Sequence, residues 1–137
     1  MKYSYKSREH EKSDKEQLVS LHNALNAAAT RLRLDDCRLW TIRGRGSNYI
    51  STWGDGRSWL IYVSLDGRPQ AWTYAKRRLA AVGCRVTQNG DDEGCLRLPL
   101  LPDPDGAEVI REVVGIRLRQ PPPKGPPPPF LRPLTLP

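Results

Sequence analysis

Three cysteines, one phenylalanine, one methionine and two histidines are all this 137-residue chain has of those residue types, and each scarcity excludes something. An odd number of cysteines, Cys37, Cys84 and Cys95, with no CxxC pair and no histidine at finger-like spacing, argues against a disulfide framework and a zinc site. The reading is of reduced, mostly buried thiols in a cytoplasmic protein. His10 falls in a charged N-terminal stretch and His22 at the edge of a helical stripe. No nucleophile, base and orienting group are therefore aligned for acyl transfer or hydrolysis, and no cofactor is expected. The N-terminus has no apolar signal region and no run approaches the length of a membrane span, so no membrane partner is expected.

What is present is positive charge. Twenty-two Lys and Arg face fifteen Asp and Glu, a formal net charge of +7. The excess lies within the foldable region: Arg38, Arg43, Arg45, Arg57, Arg68, Lys76, Arg77, Arg78 and Arg85 are set against only Asp55 and Asp66. Such an imbalance attracts polyanions, because each phosphate contact releases condensed counterions, although a solvated basic surface that merely aids solubility has the same composition.

Organisation follows from periodicity. Ser13 with Glu16 makes a capping box, so a first helix is expected to begin there, after a charged flexible arm over 1–12. Leu18, Leu21, Leu25, Ala28 and Leu32 recur at helical spacing, which predicts an end near Leu34, with Asp35 and Asp36 in the exit turn. Three strand-like runs follow over 38–43, 48–53 and 58–65, separated by Gly44, Gly46, Gly54 and Gly56. Connections this short imply antiparallel neighbours. Alternation in the third run sends Trp59, Ile61, Val63 and Leu65 to the core face and Leu60 and Tyr62 to the other.

A second helix should open at Pro69 and stop at Gly83, burying Trp72, Ala75, Leu79 and Val82. Runs over 84–88 and 95–98 read as a hairpin around Asn89-Gly90, in which Cys95 lies closer to Thr87 than to Cys84. Asp103 and Pro104 cap a third helix carrying Ala107, Ile110, Val113 and Val114 and ending at Gly115. A last extended piece over 116–119 leads to a proline-rich tail, 120–137, that ends in the candidate apolar anchors Phe130, Leu131, Leu134 and Leu136. The fold class is thus α+β: a single domain over 13–119, order α-β-β-β-α-β-β-α, with about five antiparallel strands, helices on one face and disordered tails.

The first five elements are similar in order to double-stranded RNA-binding domains, but Arg68 and Pro69 stand where such domains place a glycine-and-lysine motif at the start of their second helix. The segment CRVTQNGDDEGCLRLPLLP and the following EVIREVVGIR, within 84–117, together with WGDGR from Trp53, resemble uncharacterised small proteins of alphaproteobacterial genomes. That resemblance implies a bacterial cytoplasmic protein and no particular activity.

Candidate sites follow from the same residues. Arg43, Arg45, Arg57, Lys76 and Arg77 are the candidate nucleic-acid contacts, and aromatics interleaved with them (Trp40, Trp53, Trp59, Trp72, Tyr49, Tyr62, Tyr74) suit base stacking. Burial is the commoner fate of tryptophans in short strands, and is expected for Trp40, Trp59 and Trp72. Asp91, Asp92 and Glu93 form an acidic hairpin tip that could dock on a protein or hold a divalent cation, although calcium loops space their ligands at alternate positions. Three functions therefore stand: a non-enzymatic nucleic-acid-associated protein, an accessory factor binding a protein partner through the acidic hairpin or the tail, and a metal-dependent enzyme at residues 91–93.

Overall fold

The computed structural model describes residues 5–120; the proline-rich segment with Phe130 and Leu131 lies outside them. Among the described residues three α-helices, α1 (Arg8–Ala24), α2 (Pro69–Ala81) and α3 (Pro104–Val114), accompany six strands. The strands are β1 (Leu32–Leu34), β2 (Trp40–Arg43), β3 (Tyr49–Thr52), β4 (Trp59–Ser64), β5 (Arg85–Asn89) and β6 (Glu93–Leu98). They form one antiparallel sheet in the order β1-β2-β3-β4-β6-β5. No described helix is long and apolar enough to cross a membrane.

A single cross-strand row explains the core. Leu32, Ile42, Ile50, Ile61, Leu96 and Val86 stand side by side across all six strands. The four central members are fully buried with Leu18 and Leu21 of α1, Leu25 at its C-cap, Trp72 and Leu79 of α2, and Ile110 and Val114 of α3. All three helices therefore pack on this one face. Gly94 makes the closest approach possible: a Cβ there would collide with the Trp72 ring and the Gln88 carbonyl, so only glycine lets α2 lie flat on β6.

Both ends of α1 differ from the sequence expectation. Helix α1 begins earlier, because the Ser7 hydroxyl accepts from the His10 amide at 3.0 Å and Glu9 and Glu11 lie favourably in the first turn; Ser13 is then an exposed interior position. Residues 8–12 are thus helix, and the chain before them is anchored by the buried Tyr5, whose hydroxyl donates to Asp14 at 2.6 Å and accepts from the Trp40 amide at 3.0 Å. The helix also ends ten residues earlier than expected, at Ala24 rather than Leu34. Asn26 adopts a left-handed φ of 51°, Ala27 bridges to Leu118, and residues 32–34 join the sheet as a sixth strand. The alanines that follow Asn26 continue the helical spacing, which is why periodicity ran through the break. Asp35 does mark a turn, its carboxylate accepting from the Cys37 and Leu39 amides.

The hairpin, α2 and α3 stand where expected. Gln88 pairs with Cys95, the Thr87 hydroxyl donates to the Cys95 carbonyl at 3.2 Å, and Gly115 ends α3 at a φ of 82°. Buried Asn48 ties three elements together: its amide nitrogen donates to Val114 O at 3.1 Å and its oxygen accepts from the Ser64 amide at 2.7 Å. His22 is buried rather than marginal, with Nε2 2.9 Å from the Ala28 carbonyl. Of the cysteines, Cys84 is buried, Cys95 half-buried and Cys37, unexpectedly, exposed.

Candidate nucleic-acid interface

Alternation makes the second face of the sheet. If Ile42, Ile50, Ile61 and Leu96 point to the helices, their neighbours point away. One outward row runs Arg43, Tyr49, Tyr62, Cys95, Gln88; the next runs Ser51, Leu60, Arg97, Arg85. Arg33, paired with Thr41, lies on the same side. Each row crosses about 14–19 Å of sheet at roughly 4.8 Å per strand.

The Tyr49 and Tyr62 rings are 5.4 Å apart and tilted by 32°. Burial pushes the Tyr49 phenol above its ordinary pKa. The Tyr62 phenol is raised first by its 2.6 Å hydrogen bond to Glu93. Both therefore present neutral rings at physiological pH. Trp53 closes the top of this face, 38% exposed, with the Arg97 guanidinium 5.4 Å from its ring centroid. Trp53, Leu60, Thr87, Gln88 and Cys95 line a shallow depression of about 490 Å³. The remaining tryptophans do not take part: Trp59 and Trp72 are buried, and Trp40 packs partly against the core beneath Lys15.

Arg97 is held by Asp55, 2.7 Å from its Nη2, while its Nε donates to the Ser58 hydroxyl at 3.0 Å. The Ser58 amide and hydroxyl and the Arg57 amide, with Arg97, hold the Asp55 carboxyl well below the usual carboxylate range. This knot orders the Gly54-Asp55-Gly56-Arg57 turn, so those glycines serve a tight turn and Arg57 projects from it, exposed.

The five cations picked out in the sequence do not gather in one place. In an antiparallel meander successive turns alternate ends, so Arg45, in the β2–β3 turn, and Arg57, in the β3–β4 turn, stand at opposite ends of β3. Arg43 lies on the open face. Lys76 lies on α2, its Nζ 3.0 Å from Asn89 Oδ1, an atom that also accepts from Trp72 Nε1; it stitches α2 to β5. Arg77 is exposed on α2. Arg45 folds over the end of α3, its guanidinium 3.4 Å from the Glu112 carbonyl. The cations the sequence reading passed over are Arg33, hidden because 32–34 read as helix, and Arg97, whose alternation with Leu96 and Leu98 was its signal.

The acidic tip is largely engaged by the fold. Asp92 accepts from the Gly67 amide at 2.6 Å and fixes the turn into α2, whereas Glu93 is turned to Tyr62. The carboxylates diverge, and no group of three potential ligands converges for a metal ion among the described residues. No family model, curated protein or solved structure matches this chain.

Proposed function

We propose that the protein is a non-enzymatic nucleic-acid-associated protein that takes a single strand across the open sheet face. Tyr49, Tyr62 and Trp53 would stack bases, and Arg33, Arg43, Arg85 and Arg97 would meet phosphates. The observation that carries the reading is the interleaving of aromatic and cationic side chains on the one sheet face from which all three helices are absent. A strand surface that carries the half-buried Tyr49 and Tyr62 rings beside the exposed Trp53 suits splayed bases, each stack contributing about 1–3 kcal/mol, whereas bases in a duplex are already stacked. Backbone contacts add a term that depends on salt and not on sequence.

The test is a titration with single-stranded and duplex oligonucleotides at two salt concentrations. Single strands bind more tightly and weaken steeply as salt rises; absence of binding even at low salt refutes the reading. Tyr62→Ala weakens single-strand binding about tenfold, within the range of one lost stack. Tyr62→Phe keeps the ring, loses only the hydroxyl bonded to Glu93, and binds as the parent does. Arg43→Gln lowers the slope of log K against log salt by about 1.

A further inference from the structure

On the helix side, where the β2–β3 turn, the β4–α2 connection, α2 and α3 meet, a depression of about 380 Å³ is lined by Arg45, Arg68, Tyr74, Arg78 and Glu112 among others. Three arginines from three parts of the chain converge there. Glu112 pairs with Arg78 at 2.5 Å, and that hydrogen bond raises the Arg78 pKa, with Glu108 adding to the field. Arg45 reaches only the Glu112 main-chain oxygen, and Arg68 Nε donates to the Leu65 carbonyl at 3.3 Å. Among the described residues neither of these two guanidinium groups forms a salt bridge with a carboxylate. Most of their N–H donors remain available to a ligand, in a planar fork that matches phosphate oxygens.

One further observation points to the same ligand. On the side of α2 that borders the depression through Ala71 and Ala75, Tyr74 is 64% exposed, with the Arg78 guanidinium 5.8 Å from its ring centroid. A large aromatic surface left in water next to a cationic cavity is suited to stacking a planar base.

We infer that this depression binds a nucleoside phosphate. The phosphate lies between Arg45 and Arg68, and the base lies on Tyr74. The site is distinct from the open sheet face and does not depend on that face binding a strand. The ligand is either a free mononucleotide or the terminal phosphorylated nucleotide of a chain.

Calorimetric titration of the full-length protein with adenosine monophosphate, adenosine, inorganic phosphate, and one short oligonucleotide carrying either a 5′-phosphate or a 5′-hydroxyl tests this. Adenosine monophosphate binds saturably and more tightly than inorganic phosphate, and adenosine does not bind. Arg45→Gln and Arg68→Gln each weaken binding about tenfold, as expected for a lost charge-assisted hydrogen bond. Tyr74→Ala reduces it to the level of inorganic phosphate. All three side chains are exposed, so thermal melting should report folded variants. Tyr62→Ala leaves the mononucleotide affinity unchanged, which separates this site from the sheet face. In the Tyr62→Ala variant, preference for the 5′-phosphorylated over the 5′-hydroxyl oligonucleotide identifies a chain end, and equal binding of the two identifies the free nucleotide. No saturable binding at millimolar concentrations, or binding that survives both arginine substitutions, overturns the inference.

Discussion

The two faces of the sheet are made from the same strands, one residue apart, and they have opposite chemistries. On one, Ile42, Ile50, Ile61 and Leu96 are sealed beneath three helices. On the other, Tyr49, Tyr62, Leu60 and Arg97 are half-buried with no helix above them. Stability resides in the first face, where apolar area is removed from water and packing is close. The second face can change its residues at little cost to folding and is the one free to meet a ligand. Grooves at its margins, and between α2 and α3, carry the arginines that the core cannot accommodate.

The largest expected effect tests that division directly. Ile61→Ala should cost about 2–5 kcal/mol in denaturant unfolding, whereas Leu60→Ala, one residue along the same strand, should cost about 1 kcal/mol or less. Equal losses would mean that the outward face is covered as well. Next is Asn48→Ala, which leaves the Val114 carbonyl and Ser64 amide without their partner and should cost about 1–3 kcal/mol, read by the same unfolding measurement. A neutral result would mean that β3 and α3 are not joined through this amide.

Asp55 sharpens the comparison at the rim of the open face. Its pKa is depressed in the folded protein, so its contribution to stability is present above the unfolded value of about 4 and is lost as pH falls through the folded value. Asp55→Asn should therefore lose less stability than the parent between neutral and acid pH, measured as the shift in urea midpoint. An identical shift in both proteins would contradict the role given to the Ser58 and Arg57 hydrogen bonds. The smallest effect concerns the thiols. Burial pushes Cys84 up to about 12 and raises Cys95 less, so a thiol reagent at neutral pH should label Cys37 first, Cys95 more slowly and Cys84 last, resolved by mass spectrometry over time.

Much of this architecture was legible in the chain. The alternation of 58–65 assigned Trp59, Ile61 and Val63 to the core and Leu60 and Tyr62 to the far side. Pro69, Asp103 and Gly115 marked α2 and α3, since proline at a first turn, an aspartate cap and a glycine at positive φ are local requirements that neighbouring residues settle. Residues 25–34 were not legible. Their alanines and leucines fit a helix as well as they fit what they become, and the decision rests on Asn26 turning left-handed and on β2 offering an edge to pair with.

By itself, then, the sequence determined the α+β class, most elements and the surplus of positive charge, because periodicity, caps and composition act over a few residues. Only the tertiary structure decided where that charge goes. Arg45 and Arg57 parted because antiparallel turns alternate ends; Arg45, Arg68 and Arg78 met because α2 and α3 pack side by side on the same face of the sheet. Proximity between distant residues is a property of strand register and helix packing, which no local pattern in the chain encodes.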